Sequence, residues 1–132
     1  MKILIVDDER SAYIFLEKIF KNSFSEEEIE IDYVYNFKSA EQQILHHKYD
    51  VITLDGILSD KILDPWQHGF GKYLIPVIKK YSSMTTIIAL SGDKVMNREA
   101  MAMGATIAYT KNEVFGPFLF NKDFSLRKMP KK

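Results

Sequence analysis

Hydrophobic positions along this chain follow two rhythms that take turns. Ile3-Leu4-Ile5-Val6 is a continuous aliphatic run, the pattern of a strand buried on both faces, as in a parallel sheet. Ala12, Phe15, Leu16, Ile19 and Phe20 then recur at helical spacing, which predicts a helix over residues 10–22 with Asp8 as its N-cap. Residues 29–35 alternate, as a strand nearer a sheet edge does. Asn36 or Ser39 caps the next helix, which runs to His47, and Ser39 with Gln42 fits a capping box. A third strand over 50–54 ends abruptly in the carboxylate of Asp55. Residues 56–70 break the rhythm with turn formers. A helix follows over 70–81, with Pro76 placed to kink it. Thr85 to Leu90 is a fourth strand, and a short helix over 96–103 is stopped by Gly104. Thr106 to Thr110 is a fifth strand. Glu113 to Leu126 carries Gly116-Pro117 and four phenylalanines and does not read as a long amphipathic helix. Strands alternating with helices predict a doubly wound α/β domain.

Composition narrows the partners. The 132 residues suit one domain, expected over 1–126, with the basic cluster at 127–132 as a disordered, solvated tail. Lysine plus arginine balances aspartate plus glutamate, 18 against 18, which excludes nucleic-acid or membrane binding driven by bulk charge. The absence of cysteine removes disulfides, thiolate zinc sites and thiol nucleophiles, and it fits a reducing compartment. The N-terminal apolar run is too short for a signal peptide, and no segment approaches the roughly 20 apolar residues of a membrane span. The expectation is a cytoplasmic protein.

Chemistry gathers at the strand ends. The first strand ends in Asp7-Asp8, the third in Asp55, the fourth in Ser91 and the fifth in Lys111. In open α/β sheets ligands bind outside the carboxyl ends of the strands, at the topological switch point. In a sheet of order 2-1-3-4-5 that point brings the three aspartates together, with Ser91 next door and Lys111 one strand further. Three carboxylates in one crevice repel one another unless a cation joins them. All-oxygen ligation of this kind favours Mg2+, which readily takes a phosphate oxygen as a further ligand. A lysine and a hydroxyl beside that metal suit the equatorial oxygens of a phosphoryl group in transfer, and a carboxylate can be its acceptor.

These runs, Ile3 to Glu9, Val51 to Asp55, Ile88 to Gly92 and Gly104 to Lys111, resemble in order and spacing the response-regulator receiver domain of two-component signalling, the CheY-like domain. The resemblance covers residues 2–112. It implies a flavodoxin-like fold and a phosphorelay role. Asp55 would take the phosphoryl group from a histidine kinase or phosphotransfer protein. Asp8 and Asp55 would bind Mg2+ directly, Asp7 through water, and the backbone carbonyl of Ile57 would be a further ligand. Lys111 would hold the phosphoryl group, Ser91 would move toward it, and Tyr109 would be the aromatic that follows Ser91 inward. Ile57 and Asp93 would tune dephosphorylation. The chain would act as a stand-alone phosphoprotein that binds a downstream protein or a second copy of itself. It would be no enzyme beyond its own phosphorylation and dephosphorylation.

Three features depart from that pattern. Ser59 stands where the family has proline, and the family's glycine matches Gly71, so the loop after Asp55 carries about eight extra residues. Asn112 stands where proline follows the lysine, so a trans peptide and a differently set Lys111 are expected. Phe115, Phe118, Phe120 and Phe124 must cover the flank of the missing last helix or form an apolar patch. These departures suit a rival reading, a degenerate receiver that only binds partners. A phosphohydrolase of the haloacid-dehalogenase type is a third reading, but its Asp-x-Asp is absent, since the strand ends Asp55-Gly56-Ile57. His46, His47 and His68 carry no assigned role. Trp66 reads as a loop anchor, and Met96, Met101 and Met103 read as packing.

Overall fold

A computed structural model describes residues 1–58 and 71–130. The elements are β1 (Lys2–Val6), α1 (Arg10–Ser23), β2 (Glu30–Val34), α2 (Phe37–His46), β3 (Val51–Asp55) and, after a single 3-10 turn at Gly71–Leu74, α3 (Ile75–Tyr81). The chain continues through β4 (Thr86–Ser91), α4 (Lys94–Met103), β5 (Ile107–Thr110), a four-residue α5 (Lys111–Val114), β6 (Phe118–Phe120) and β7 (Leu126–Lys128). Strands β1 to β5 form one parallel sheet in the order β2-β1-β3-β4-β5, as the alternation of elements requires. Most of the loop after Asp55, with Trp66 and His68, lies outside the described residues.

The continuous runs are buried on both faces, which is why they show no alternation. Leu4, Val6, Ile52, Leu54, Ile87 and Ala89 pack under α2, α3 and α4. Ile3, Ile5, Val51, Ile88 and Leu90 pack on the other face, against α1 and the C-terminal hairpin. Fully burying aliphatic side chains of this size stabilises by about 1.5–3 kcal/mol each, so the two faces supply the main driving force.

Several local expectations change. Asp8 does not cap α1: the N-cap is Glu9, and its N–H donates to Asp7 Oδ1 at 2.9 Å. Asn36 caps α2 by accepting the Ser39 N–H at 2.7 Å. Pro76 sits in the first turn of α3, where no N–H is needed, so it starts the helix rather than kinking it. Helix α4 begins at Lys94, capped by the Asp93 side chain.

The largest departure is the hairpin β6–β7, which lies on α1 in place of a last helix. Three phenylalanine pairs tie α1 and its C-cap to this C-terminal segment: Phe15 with Phe115, which precedes the hairpin, Phe20 with Phe120 and Phe24 with Phe124, at centroid separations of 5.0, 5.1 and 5.6 Å. The Phe120 N–H donates to Ser23 Oγ at 2.8 Å. Phe124 adopts φ 64°, a strained left-handed conformation for a bulky residue. Its ring contacts Phe24 and Phe120, and its carbonyl accepts the Tyr109 hydroxyl at 2.8 Å, which offsets that strain. Arg127 and Lys128, expected in a disordered tail, are the outer part of β7, held because β6 offers them a partner. Phe120→Ala should therefore cost about 3–5 kcal/mol of unfolding free energy by urea titration, whereas a loosely attached hairpin would lose under about 1 kcal/mol.

Candidate functional site

The acidic pocket follows from strand register. Val6 of β1 lies opposite Leu54 of β3, so Asp7 and Asp55 fall side by side just where both strands leave the sheet. Asp7 is 1% exposed and Asp55 6%, while Asp8 is half-buried. One carboxylate oxygen from each of Asp7, Asp8 and Asp55 lies within 4.8 Å of the others. Lys111 enters from the end of β5, with Nζ 3.2 Å from Asp7 Oδ2 and 3.2 Å from Asp55 Oδ1. No peptide among the described residues is cis, the one after Lys111 included, yet the ammonium still reaches both aspartates. Thr110 makes this possible by starting α5 at once. Its Oγ1 accepts the Glu113 N–H, and Glu113 Oε1 accepts the Thr110 N–H in return.

Among the described residues one ammonium faces three carboxylates and does not balance them. Burial, then the charge of Asp7, then a hydrogen bond that the protonated carboxyl donates to Asp8 push Asp55 up to about 8. Burial also raises Asp7, against the pull of the Glu9 N–H and Lys111. Burial lowers and the two aspartates raise the Lys111 ammonium, with a net upward shift. Uncompensated negative charge on clustered, hard oxygen donors is the environment a divalent cation takes. Asp7, Asp8 and Asp55 therefore fit such an ion.

Ser91 ends β4 next to this pocket. Asp55 lies opposite Leu90, and the Gly56 N–H donates to the Leu90 carbonyl at 3.1 Å. Ser91 Oγ accepts the Asp93 N–H at 3.0 Å and faces Met96 Sδ at 3.7 Å. The structure does not bring Tyr109 to Ser91. Ser91 lies opposite Thr110, so period-two alternation turns Tyr109 to the other face, where it pairs with Leu90 and contacts Phe120 and the hairpin. The β5 residues on the Ser91 face are Ala108 and Thr110. Ile57 is 52% exposed at the rim.

Gly56 was legible as a turn former and Gly71 as the family's glycine, but neither as a residue that shapes the site. A Cβ on Gly71 would lie 2.0 Å from the Asp55 carbonyl oxygen, so only glycine lets the returning chain pass there. A Cβ on Gly56 would lie 2.6 Å from Ser91 Oγ. Met96 and Asn97 were missed too. Their spacing reads as ordinary helix, and only the packing of α4 on β4 and β5 puts them beside Ser91 and Tyr109.

No family model and no curated protein matches the sequence. Solved structures do. A two-component response regulator from Clostridium difficile is 28% identical, matching 84% of this chain and 83% of its own, with a TM-score of 0.64. A CheY-like response-regulator receiver domain protein from Methanospirillum hungatei is 18% identical over 83% of this chain and 80% of its own, TM-score 0.67. A response regulator from Burkholderia pseudomallei, solved with a phosphorylated aspartic acid, calcium ion and citrate, is 19% identical with a TM-score of 0.65. The match covers 83% of this chain but 59% of that protein. The chain has the CheY-like receiver fold of response regulators.

The raised Asp55 carboxyl sets the sign of a pH dependence. The folded state holds a proton that the unfolded state has released, so stability falls as pH rises from about 4 to about 8. Without divalent cation, Asp55→Asn should gain about 1–3 kcal/mol at pH 8 in urea unfolding. Added Mg2+ should raise the wild-type midpoint and leave that of Asp55→Asn nearly unmoved. A second substitution tests the close approach: Gly71→Ala should cost about 3 kcal/mol in the same assay.

Proposed function

We propose that the protein is a phosphoaccepting receiver: Asp55 takes a phosphoryl group from a phosphohistidine on a histidine kinase or phosphotransfer protein, with Mg2+ held by Asp7, Asp8 and Asp55. The observation that carries this reading is the convergence of three carboxylates and the Lys111 ammonium at the end of β3. Bound Mg2+ would supply the positive charge that keeps Asp55 ionised and shields an incoming phosphoryl group.

The chain's own residues account for the rest. An Asp55 carboxylate oxygen forms a bond to phosphorus as the bond from phosphorus to the donor imidazole nitrogen breaks. The released nitrogen pair takes a proton from water, and Asp55 becomes a mixed carboxylic-phosphoric anhydride. Lys111 already rests 3.2 Å from Asp55 and transfers its contact to a phosphoryl oxygen without a new side-chain placement. Ser91 donates its hydroxyl to a second phosphoryl oxygen. Water attack at phosphorus returns the carboxylate and inorganic phosphate, so the protein catalyses only its own modification and its reversal. The change at Ser91 and α4 would alter binding of a downstream protein. Nucleic acid has no place in this reading.

Incubation with Mg2+ and acetyl phosphate should add one labile phosphoryl group by intact mass, absent in Asp55→Asn. Lys111→Ala should lower the initial rate at least about tenfold, since it removes the ammonium directed at the developing charge. An unmodified protein that also fails to bind Mg2+ would instead support the partner-binding, non-phosphorylated reading.

A further inference from the structure

The Ser91 hydroxyl is engaged by the start of α4. It donates to the Met96 thioether at 3.7 Å and accepts the Asp93 N–H at 3.0 Å. Asp93 is the N-cap of α4 and Met96 lies in its first turn. Gly56, directly after Asp55, leaves the space for this contact: a Cβ there would lie 2.6 Å from Ser91 Oγ and 3.1 Å from Met96 Sδ. The residue after the acceptor, the hydroxyl and the thioether thus form one close-packed stack.

The next residue along α4 ties this stack to the sheet edge. Asn97 is 9% exposed, and its Nδ2 donates to the Tyr109 carbonyl of β5 at 2.9 Å. That bond fixes the amide orientation and leaves Asn97 Oδ1 buried without a partner. A cavity of about 10 Å³, the size of one water, lies against Asp55, Gly56, Met96 and Asn97. On the same face β5 presents Ala108, a side chain too small to follow the hydroxyl.

Resting on the reading of Asp55 as the phosphoacceptor, we propose that Met96 is the positioning residue for Ser91, holding its hydroxyl toward α4 until Asp55 is modified. A thioether is a weak acceptor, and a charged phosphoryl oxygen is a strong one. The hydroxyl therefore leaves the sulfur when a phosphoryl group arrives, and the first turn of α4 loses a contact. Asn97, one residue on, carries that loss to the β5 edge, and its unpartnered oxygen gives it little reason to stay. Met96 in this chain thus does the work of a large β5 side chain, from the helix instead of the strand.

The test uses beryllium trifluoride with Mg2+, a stand-in for the phosphoryl group on a carboxylate. Met96→Leu keeps the volume but removes the sulfur acceptor, so it should tighten beryllofluoride binding by roughly two- to fivefold. The gain should vanish in a Ser91→Ala background, because it acts through the hydroxyl. In the otherwise unaltered protein the Met96 methyl resonance, identified by its absence in Met96→Leu, should shift on binding. Unchanged or weaker binding in Met96→Leu overturns the proposal, as does an equal gain in Ser91→Ala or a stationary Met96 methyl. If no fluorine resonance of bound beryllofluoride appears in the unaltered protein, the reading of Asp55 itself fails, and the role of Met96 falls with it.

Discussion

The central constraint is electrostatic. Three carboxylates meet at the carboxyl ends of β1 and β3 with one ammonium between them. Two of the three are almost fully buried, and burial is the first cause of the raised carboxyl of Asp55. A fold gains nothing in stability from such an arrangement. Replacing buried charges by apolar groups is commonly neutral or stabilising. The pocket is therefore best understood as a place that suits a divalent cation, and in the proposed reading also the phosphoryl group that follows it. Lys111 is positioned to serve both states, since it contacts Asp7 and Asp55 at once.

The surrounding fold holds this strained centre by covering both faces of the sheet. One face is conventional for alternating strands and helices, with α2, α3 and α4 on Ile52, Leu54, Ile87 and Ala89. The other is completed by α1 and a C-terminal segment ending in a two-stranded hairpin, whose phenylalanines pair ring to ring with those of α1 and its C-cap. The hairpin also takes the Tyr109 hydroxyl, so this aromatic is committed to structure on the face away from Ser91. In the proposed reading a signal from Asp55 leaves by another route, and the contacts of Ser91 with the start of α4 offer one.

Much of this was legible in the chain alone. Ile3 to Val6 and Val51 to Leu54 read as doubly buried strands because uninterrupted aliphatic runs have no polar face to expose. Asp7, Asp8, Asp55 and Lys111 read as a site because each follows such a run, and parallel strands put all their carboxyl ends on one side. Less was legible where a residue's role depends on which face it takes. The resemblance assigned Tyr109 to Ser91, but its register opposite Leu90 decides its side. Asp8 was read as a cap as well as a ligand, because both roles fall just after a strand, and only the folded turn gives the cap position to Glu9.

Sequence by itself determined the sheet, its order and the acidic centre, since these follow from local runs and a topology with few alternatives. Tertiary structure alone decided the rest. It set the hairpin on α1, because three aromatic pairs form between segments nearly a chain length apart. It made glycine obligatory at position 71, because the backbone of Asp55 passes within contact. It joined Met96 to Ser91 and Asn97 to Tyr109, because a helix brings its first turn to a strand only after both have packed. Patterns encode what a residue's neighbours in the chain require, and packing decides what it touches.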